Sequence, residues 1–389
     1  MKRFMRGGKK MKRCLQSKVK EEKGITAVYI AILIAVFIGV TALAIDIGYL
    51  MVARNELQNA ADSAALAATR QMGAIYEPLS YAQQQAYLFN RDQIVPVATY
   101  TALQNAVAGL SIIGLSGFVV NDSDVEIGTW DGATRTFTAP VMTRSNAVRV
   151  RVRRDENANG PLGTFFARVL GRDTMSVSAI ATAALTGQST AGPGGLPVPV
   201  GISYAWYRNQ GPTFCNQPIR FYPTNDPTSC AGWHVYDRYS NAPDSKLRDT
   251  ISDLDNHTYE SPPVTAFQDS FRFTGGTMSI QTFAAMKQLF LDNLNTDTNS
   301  DGNNDAWTAG VPVYAPEGYS TPEEALAAAD CGNPNKNMLI VGFATIVITN
   351  VQDSPVHQID GYVICDNIEP GRGGGGNFGT MGSIPNLVQ

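Results

Sequence analysis

The chain reads as an α+β protein on a stalk: a long amino-terminal transmembrane and stalk helix, a small α+β domain, then a strand-rich carboxy-terminal domain. Three observations carry that reading. Residues Ile25 to Ile45, ITAVYIAILIAVFIGVTALAI, hold no charge and would span about 32 Å as a helix, the thickness of a bilayer's hydrocarbon core. Helical spacing then continues unbroken through Met72. Further on the apolar period shortens to two, as where Val148, Val150 and Val152 alternate with Arg149, Arg151 and Arg153.

Charge gives the apolar run an orientation. Residues 1–23 carry ten Lys or Arg and two acids, Glu21 and Glu22, a net +8, in a chain whose total is −4. Basic residues flanking a spanning helix stay in the cytoplasm, so 1–23 is a basic cytoplasmic head and the bulk of the chain lies outside. A nucleic-acid arm is the competing use of such a segment. Its position against an apolar run argues for anionic lipid and against nucleic acid as partner. A cleaved signal peptide would have an apolar core of about 7–15 residues. This run is longer, although Ala42-Leu43-Ala44 has the look of a cleavage site, and the length favours a single-pass anchor.

From Ile47 the helix has its own apolar face. Ile47, Leu50, Ala53, Leu57, Ala61, Ala64 and Ala68 recur at spacings of three and four, with Asn55, Gln58, Asn59, Asp62 and Ser63 on the other side. Alanine is the best helix former, and a face of methyl groups lets a neighbouring backbone come close. Leu50, Leu57, Ala61, Ala64 and Ala68 are therefore the expected helix-packing positions, with Gly73 as the end cap.

The segment 24–73 also carries a family likeness. Gly24 before the apolar run, Ala44-Ile45-Asp46-Ile47-Gly48 at its end and LQNAADSAALA from Leu57 to Ala67 resemble the amino-terminal domain of the TadG-like proteins of Flp (tight adherence) pilus assembly. The resemblance implies a component of the bacterial inner membrane, in the machine that builds or anchors a pilus. It implies other Tad/Flp assembly proteins or pilin as partners, with the bulk periplasmic or exterior, and brings no catalytic residues. A pilin-type leader would have glutamate five residues after its processing glycine, where this chain has Tyr29.

Residues 74–187 are expected to form the small α+β domain. Helical pieces interrupted near Pro96 occupy 78–110. Strands follow at Phe118–Trp130, Arg135–Pro140 and Ala147–Arg153, the last with valines inward and arginines wet. Pro161–Leu170 is patterned as a short amphipathic helix and Thr174–Thr186 as a small-residue strand. The Gly/Pro/Ser stretch 188–195 reads as a flexible linker.

The exterior domain, 196–389, holds apolar strands near 338–350 and 358–364 and ends in a flexible tail from Gly373. Cys215, Cys230, Cys331 and Cys365 are even in number, as two disulfides in an oxidising compartment require, while Cys14 on the cytoplasmic side stays a thiol. Of three connectivities, nearness in sequence favours Cys215–Cys230 with Cys331–Cys365. Zinc is the competing use, but no Cys-x-x-Cys occurs and His234, His257 and His357 are scattered.

Asp297, Asn299, Asp301, Asn303 and Asp305, around Gly302, are spaced like the oxygen ligands of an EF-hand calcium loop entered by a helix at Ile280–Leu294. Position twelve is Thr308 instead of glutamate, and Pro312 discourages an exit helix. The expectation is a weak, incomplete Ca2+ site, weighed against a plain Asn/Asp-rich turn. Tyr204, Trp206, Tyr207, Phe221, Tyr222, Trp233 and Tyr236 suit either a ligand groove or a core.

Enzyme signatures are missing: no Gly-x-Ser-x-Gly elbow, no His-Glu-x-x-His, no phosphate or dinucleotide loop. Asp253 with Asp255, or Glu323 with Glu324, are paired carboxylates of the kind found on any solvated surface. The expectation is a non-catalytic pilus-assembly or anchoring component supporting tight adherence. The alternatives are a membrane-tethered, calcium-stabilised adhesin or binding module, and a tethered hydrolase.

Overall fold

The computed structural model describes residues 7–108, 119–221, 230–240, 242–275, 278–332 and 334–389, with backbone alone for 7–24 and 105–108. Phe118, Tyr222 and the side chain of Cys14 lie outside that description. Two compact units divide the described residues: those of Met1–Ala60, Leu103–Val120 and Arg151–Ala179, and those of Ala61–Ala102, Asn121–Val150 and Ile180–Gln389. Each unit is drawn from three separate stretches of the chain.

A single helix, α1 (Gly7–Tyr76), runs for 70 residues. It passes the expected end at Gly73 because that glycine serves another purpose. A Cβ there would lie 2.1 Å from the Ser383 carbonyl oxygen, so the position admits a crossing backbone and caps nothing. The next helix, α2 (Tyr81–Ala86), opens with a capping box in which Ser80 and Gln83 exchange side-chain and backbone bonds. Then α3 (Arg91–Ala108) runs straight through Pro96, where an interruption was expected. The ring stands near the start of the helix, so one intrahelical bond is lost while twelve residues of helix follow.

Three strands come next: β1 (Val125–Asp131), β2 (Thr136–Thr138) and β3 (Ala147–Arg154). Valine–arginine alternation in β3 buries Val148, Val150 and Val152 and leaves the arginines half-buried or exposed, as the pattern predicts. The expected helix at Pro161–Leu170 shrinks to one 3-10 turn, Ala167–Leu170, between short paired strands β4 (Leu162–Gly163) and β5 (Thr174–Met175). Pro161, Gly163 and Thr164 are poor helix formers, and Gly171 closes the turn at φ 78°. β6 (Val177–Ala184) follows.

Segment 188–195, expected as a loose linker, is built into the fold. It forms β7 (Thr190–Ala191), Ala191 and Gln188 are buried, and the Gln188 amide donates to the carbonyls of Thr190 and Pro370.

The larger sheet is assembled from β8 (Val200–Ser203), β9 (Pro218–Phe221) and β10 (Ala231–Trp233), with helix α4 (Tyr204–Gln210) between the first two. After α5 (Asp244–Asp255) come β11 (Val264–Thr265), which pairs with β7, and β12 (Ser270–Arg272). Helix α6 (Ile280–Asp292) leads through the Asp-rich loop into β13 (Trp307–Pro316). Short α7 (Pro322–Ala327) precedes the 16-residue β14 (Asn337–Gln352) and β15 (Gln358–Ile364). The order is β10-β8-β13-β14-β15-β9, with β12 also on β14. Only β8 and β13 run parallel among the registered pairs of this sheet. The near-continuous apolar run of β14 is buried on both faces, with α6 packed on it.

Beyond β15, the expected loose tail is ordered. β16 (Asn367–Arg372) and β17 (Thr380–Ile384) pair in parallel, and β18 (Asn386–Leu387) pairs antiparallel with β6. Glycines 373–376 are what lets this happen: the Gly375 N–H donates to the Gly187 carbonyl and Gly373 N–H to that of Ile384, at approaches a side chain would block. The smaller sheet thus reads β18-β6-β3-β1-β2, completed by the far end of the sequence.

Both disulfides differ from the pairing that sequence nearness favours. The structure joins Cys215 to Cys365 and Cys230 to Cys331, at Cα separations of 5.5 and 4.2 Å. Sheet neighbours decide the matter. Cys215 precedes β9 and Cys365 follows β15, strands that pair Pro218 with Tyr362. Cys230 immediately precedes β10 beside β8, where Ser203 N–H donates to the Cys230 carbonyl and Ser203 Oγ to that of Asp330.

Candidate membrane anchor and assembly surface

Every large apolar side chain from Ile25 to Ile47 is exposed, from Leu43 at 46% to Phe37 at 69%. The Thr41 hydroxyl donates back to the Phe37 carbonyl, which satisfies a donor that lipid would otherwise penalise. Among the described residues, this is one helix long and apolar enough to cross a membrane.

Asp46, the first charge after the run, is buried. Its carboxylate accepts the backbone N–H groups of Phe165, Phe166 and Ala167, at 2.8, 3.0 and 2.5 Å, and so caps the 3-10 turn that begins at Ala167. The Tyr49 ring meets Phe165 edge-on at 5.4 Å. Sequence reasoning placed Asp46 in a motif and gave it no partner. A lone acid closing an apolar run was the signal; the donors, more than 100 residues later, had none.

The packing positions on the stalk divide by burial. Leu57, Ala61, Ala64 and Ala68 are fully buried within this chain, and Leu50 is half-buried. Farther along the same helix the contacts are explicit: Thr69 Oγ1 donates to Ala183 O at 3.2 Å, and Arg70 reaches both Ser383 O and Glu77. The alanine face is therefore occupied by the protein's own strands at its outer end. Asn55 and Asn59 stay exposed and Gln58, Asp62 and Ser63 half-buried, as the opposite face requires.

The Asp-rich loop keeps its side chains busy with its own backbone. Asp297 accepts N–H groups from Ser300, Asp301 and Gly302, Asn299 from Asp301, and Asp301 from Asn303. Asp305 takes the Thr298 N–H and hydroxyl. These bonds hold the Asp297 carboxyl below its ordinary range, the Gly302 N–H contributing most. The described residues hold no group of three or more His, Cys, Asp or Glu poised around a common point. Helix α6 enters the loop as the motif asks, while β13 leaves it as a strand.

Other sequence-level candidates fall into the core. Trp206, Tyr207, Phe221, Trp233 and Tyr236 are buried and Tyr204 packs against them, so these aromatics fill the larger sheet's core and floor no groove. His234 is fully buried, stacked on Phe271 at 5.0 Å, and burial pushes its imidazole down to about 3. Asp253 and Asp255 do not act as a pair: burial, then the like charge of Asp292 on α6, raises the Asp255 carboxyl. A cleft of about 580 Å3 opens beside Trp130, Asp131, Asn146, Asp366, Asn377 and Met381. It holds no nucleophile–base pairing that sequence reasoning had singled out.

Two family models match this chain. Residues 24–73 match Putative Flp pilus-assembly TadE/G-like, and residues 52–183 match Putative Tad-like Flp pilus-assembly. The likeness first read from 24–73 thus extends through α3 and most of the smaller sheet to Ala183, one residue before the end of β6. No curated protein and no solved structure matches the chain.

Proposed function

We propose that this protein is a single-pass inner-membrane component of Flp/Tad pilus assembly or anchoring, and that it works without catalysis. The observation that carries the reading is the placement of the two family matches: together they cover the apolar helix, its stalk and most of the smaller sheet. The basic head sets the amino end in the cytoplasm, and two disulfides suit an oxidising exterior. Partners are other pilus-assembly proteins or pilin, together with inner-membrane lipid. Because the alanine face is filled from within, we assign partner contact to other surfaces, beginning with the exposed polar side of the stalk at Asn55.

The test joins topology to partnership. A reporter fused through a linker after Gln389 is expected to be active outside the cytoplasm and silent inside it. A photo-crosslinker at Asn55 is expected to capture pilus-assembly proteins from intact cells, and deletion of the gene to remove pili and surface attachment. Normal piliation in the deletion strain would sink the assembly reading and favour a tethered adhesin. A soluble mature chain beginning at Ile45 would overturn the anchor.

A further inference from the structure

We infer that the loop Thr164–Met175 is a second membrane contact, an apolar wedge lying in the headgroup and acyl boundary of the same bilayer that α1 crosses. This rests on the anchor reading above. Asp46 fixes the depth: it ends a 21-residue uncharged run and therefore sits at the edge of the hydrocarbon. Its carboxylate grips the N–H groups of Phe165, Phe166 and Ala167, which places those residues at that same level. A four-residue 3-10 turn rises about 2 Å per residue, so Leu170 stays within about 8 Å of it. The headgroup region is about as deep as that.

The surface presented there is the wrong kind for water. Val169 is 84% exposed, Leu170 76%, Phe165 60%, Phe166 43% and Met175 41%. The patch is continuous with the lipid-facing helix through the Tyr49–Phe165 contact and the exposed Ile47 and Met51. Arg168 and Arg172 are exposed on the same loop, against one acid, Asp173, and their long side chains reach phosphate while the apolar groups go deeper. Continuity with the anchor is what selects lipid as the occupant. An isolated apolar loop would leave the choice open; one clamped to a spanning helix at its boundary does not. The clamp is also what makes the wedge rigid, because Asp46 satisfies three donors that lipid could not.

The experiment uses the full chain with Cys14→Ser, reconstituted at low density in vesicles of zwitterionic and anionic phospholipid. Nitroxide labels are placed singly at Leu170→Cys, Val169→Cys and, in mid-span, Ile34→Cys, with both disulfides intact. Collision rates with oxygen and with a water-soluble nickel chelate report depth. At Leu170 and Val169 the nickel collision rate is expected to be at least roughly fivefold below that of the free label in buffer, with Ile34 shielded more strongly. Aqueous values at both loop sites with Ile34 shielded would overturn the wedge and leave the anchor standing. An aqueous Ile34 would overturn the anchor reading itself. Dipolar broadening at Leu170 that vanishes on dilution with unlabelled protein would give the patch to a second copy and refute the lipid assignment.

Discussion

At the scale of single residues, His234 shows how burial alone sets chemistry. Its ring is enclosed by Phe271, Phe273 and Tyr236 within about 5 Å, and desolvation holds it neutral down to about pH 3. The unfolded chain takes up a proton near pH 6.5, so between about 6.5 and 3 the unfolded state binds the extra proton. Stability contributed by the neutral ring is thus complete above pH 6.5 and falls by at most about 1.4 kcal/mol per pH unit on acidification through that window. His234→Phe is expected to flatten this acid limb in denaturant titrations at several pH values. An unchanged slope would show that the ring is hydrated. Asp46 is the opposite case, a buried charge kept because three backbone donors meet it. Its importance was visible in the sequence, as a single acid where an apolar run stops, but its function was not, since Phe165 to Ala167 carry no mark of being donors to it.

Secondary-structure elements divide the same way. Much that depended on local period was legible: the helix over 25–72, the valine face of β3, β14 and β15. Whatever depended on pairing across the chain was not, because no local pattern says which strand sits beside which. The cysteines are the clearest instance. Non-reducing peptide maps are expected to join Cys215 with Cys365 and Cys230 with Cys331, and a Cys215–Cys230 peptide would contradict the β9–β15 register. The bridges close loops of separation 150 and 101, and removing either is expected to cost about 2–5 kcal/mol of unfolding free energy by freeing the unfolded chain. The glycine-rich 373–376 and the segment 188–195 looked loose for a related reason: residues that make floppy chains in isolation are also those that let two backbones touch. For the loop Asp297–Asp305, calcium would have to displace backbone N–H groups already bound to Asp297 and Asp301. We propose a weak site, with calcium shifting the melting temperature only at about millimolar concentration. A shift at micromolar calcium would show that the loop reorganises around the ion.

For the molecule as a whole, the buried alanine face turns an assembly question into a folding one. Ala64→Arg puts a long cation where the chain leaves no room, at an expected cost of about 3 kcal/mol or more, and is expected to lower the protein's abundance in membranes. Asn55→Arg, on the exposed side, is expected to leave abundance unchanged, as read by quantitative immunoblotting. Full abundance with lost piliation in Ala64→Arg would mean the face opens to a partner after all. The β18–β6 pairing, finally, sets a clock. Ala183 and Ala184 are synthesised about 200 residues before Asn386 and Leu387, which at about 5–20 residues per second is a delay of about 10–40 s. Through that interval the anchored chain presents an unpaired strand edge and a half-covered alanine helix to its surroundings. Emergence of Asn386 and Leu387 is then the event that seals this edge of the smaller sheet, so a chain stalled before them leaves behind a tethered intermediate that a quality-control protease can recognise.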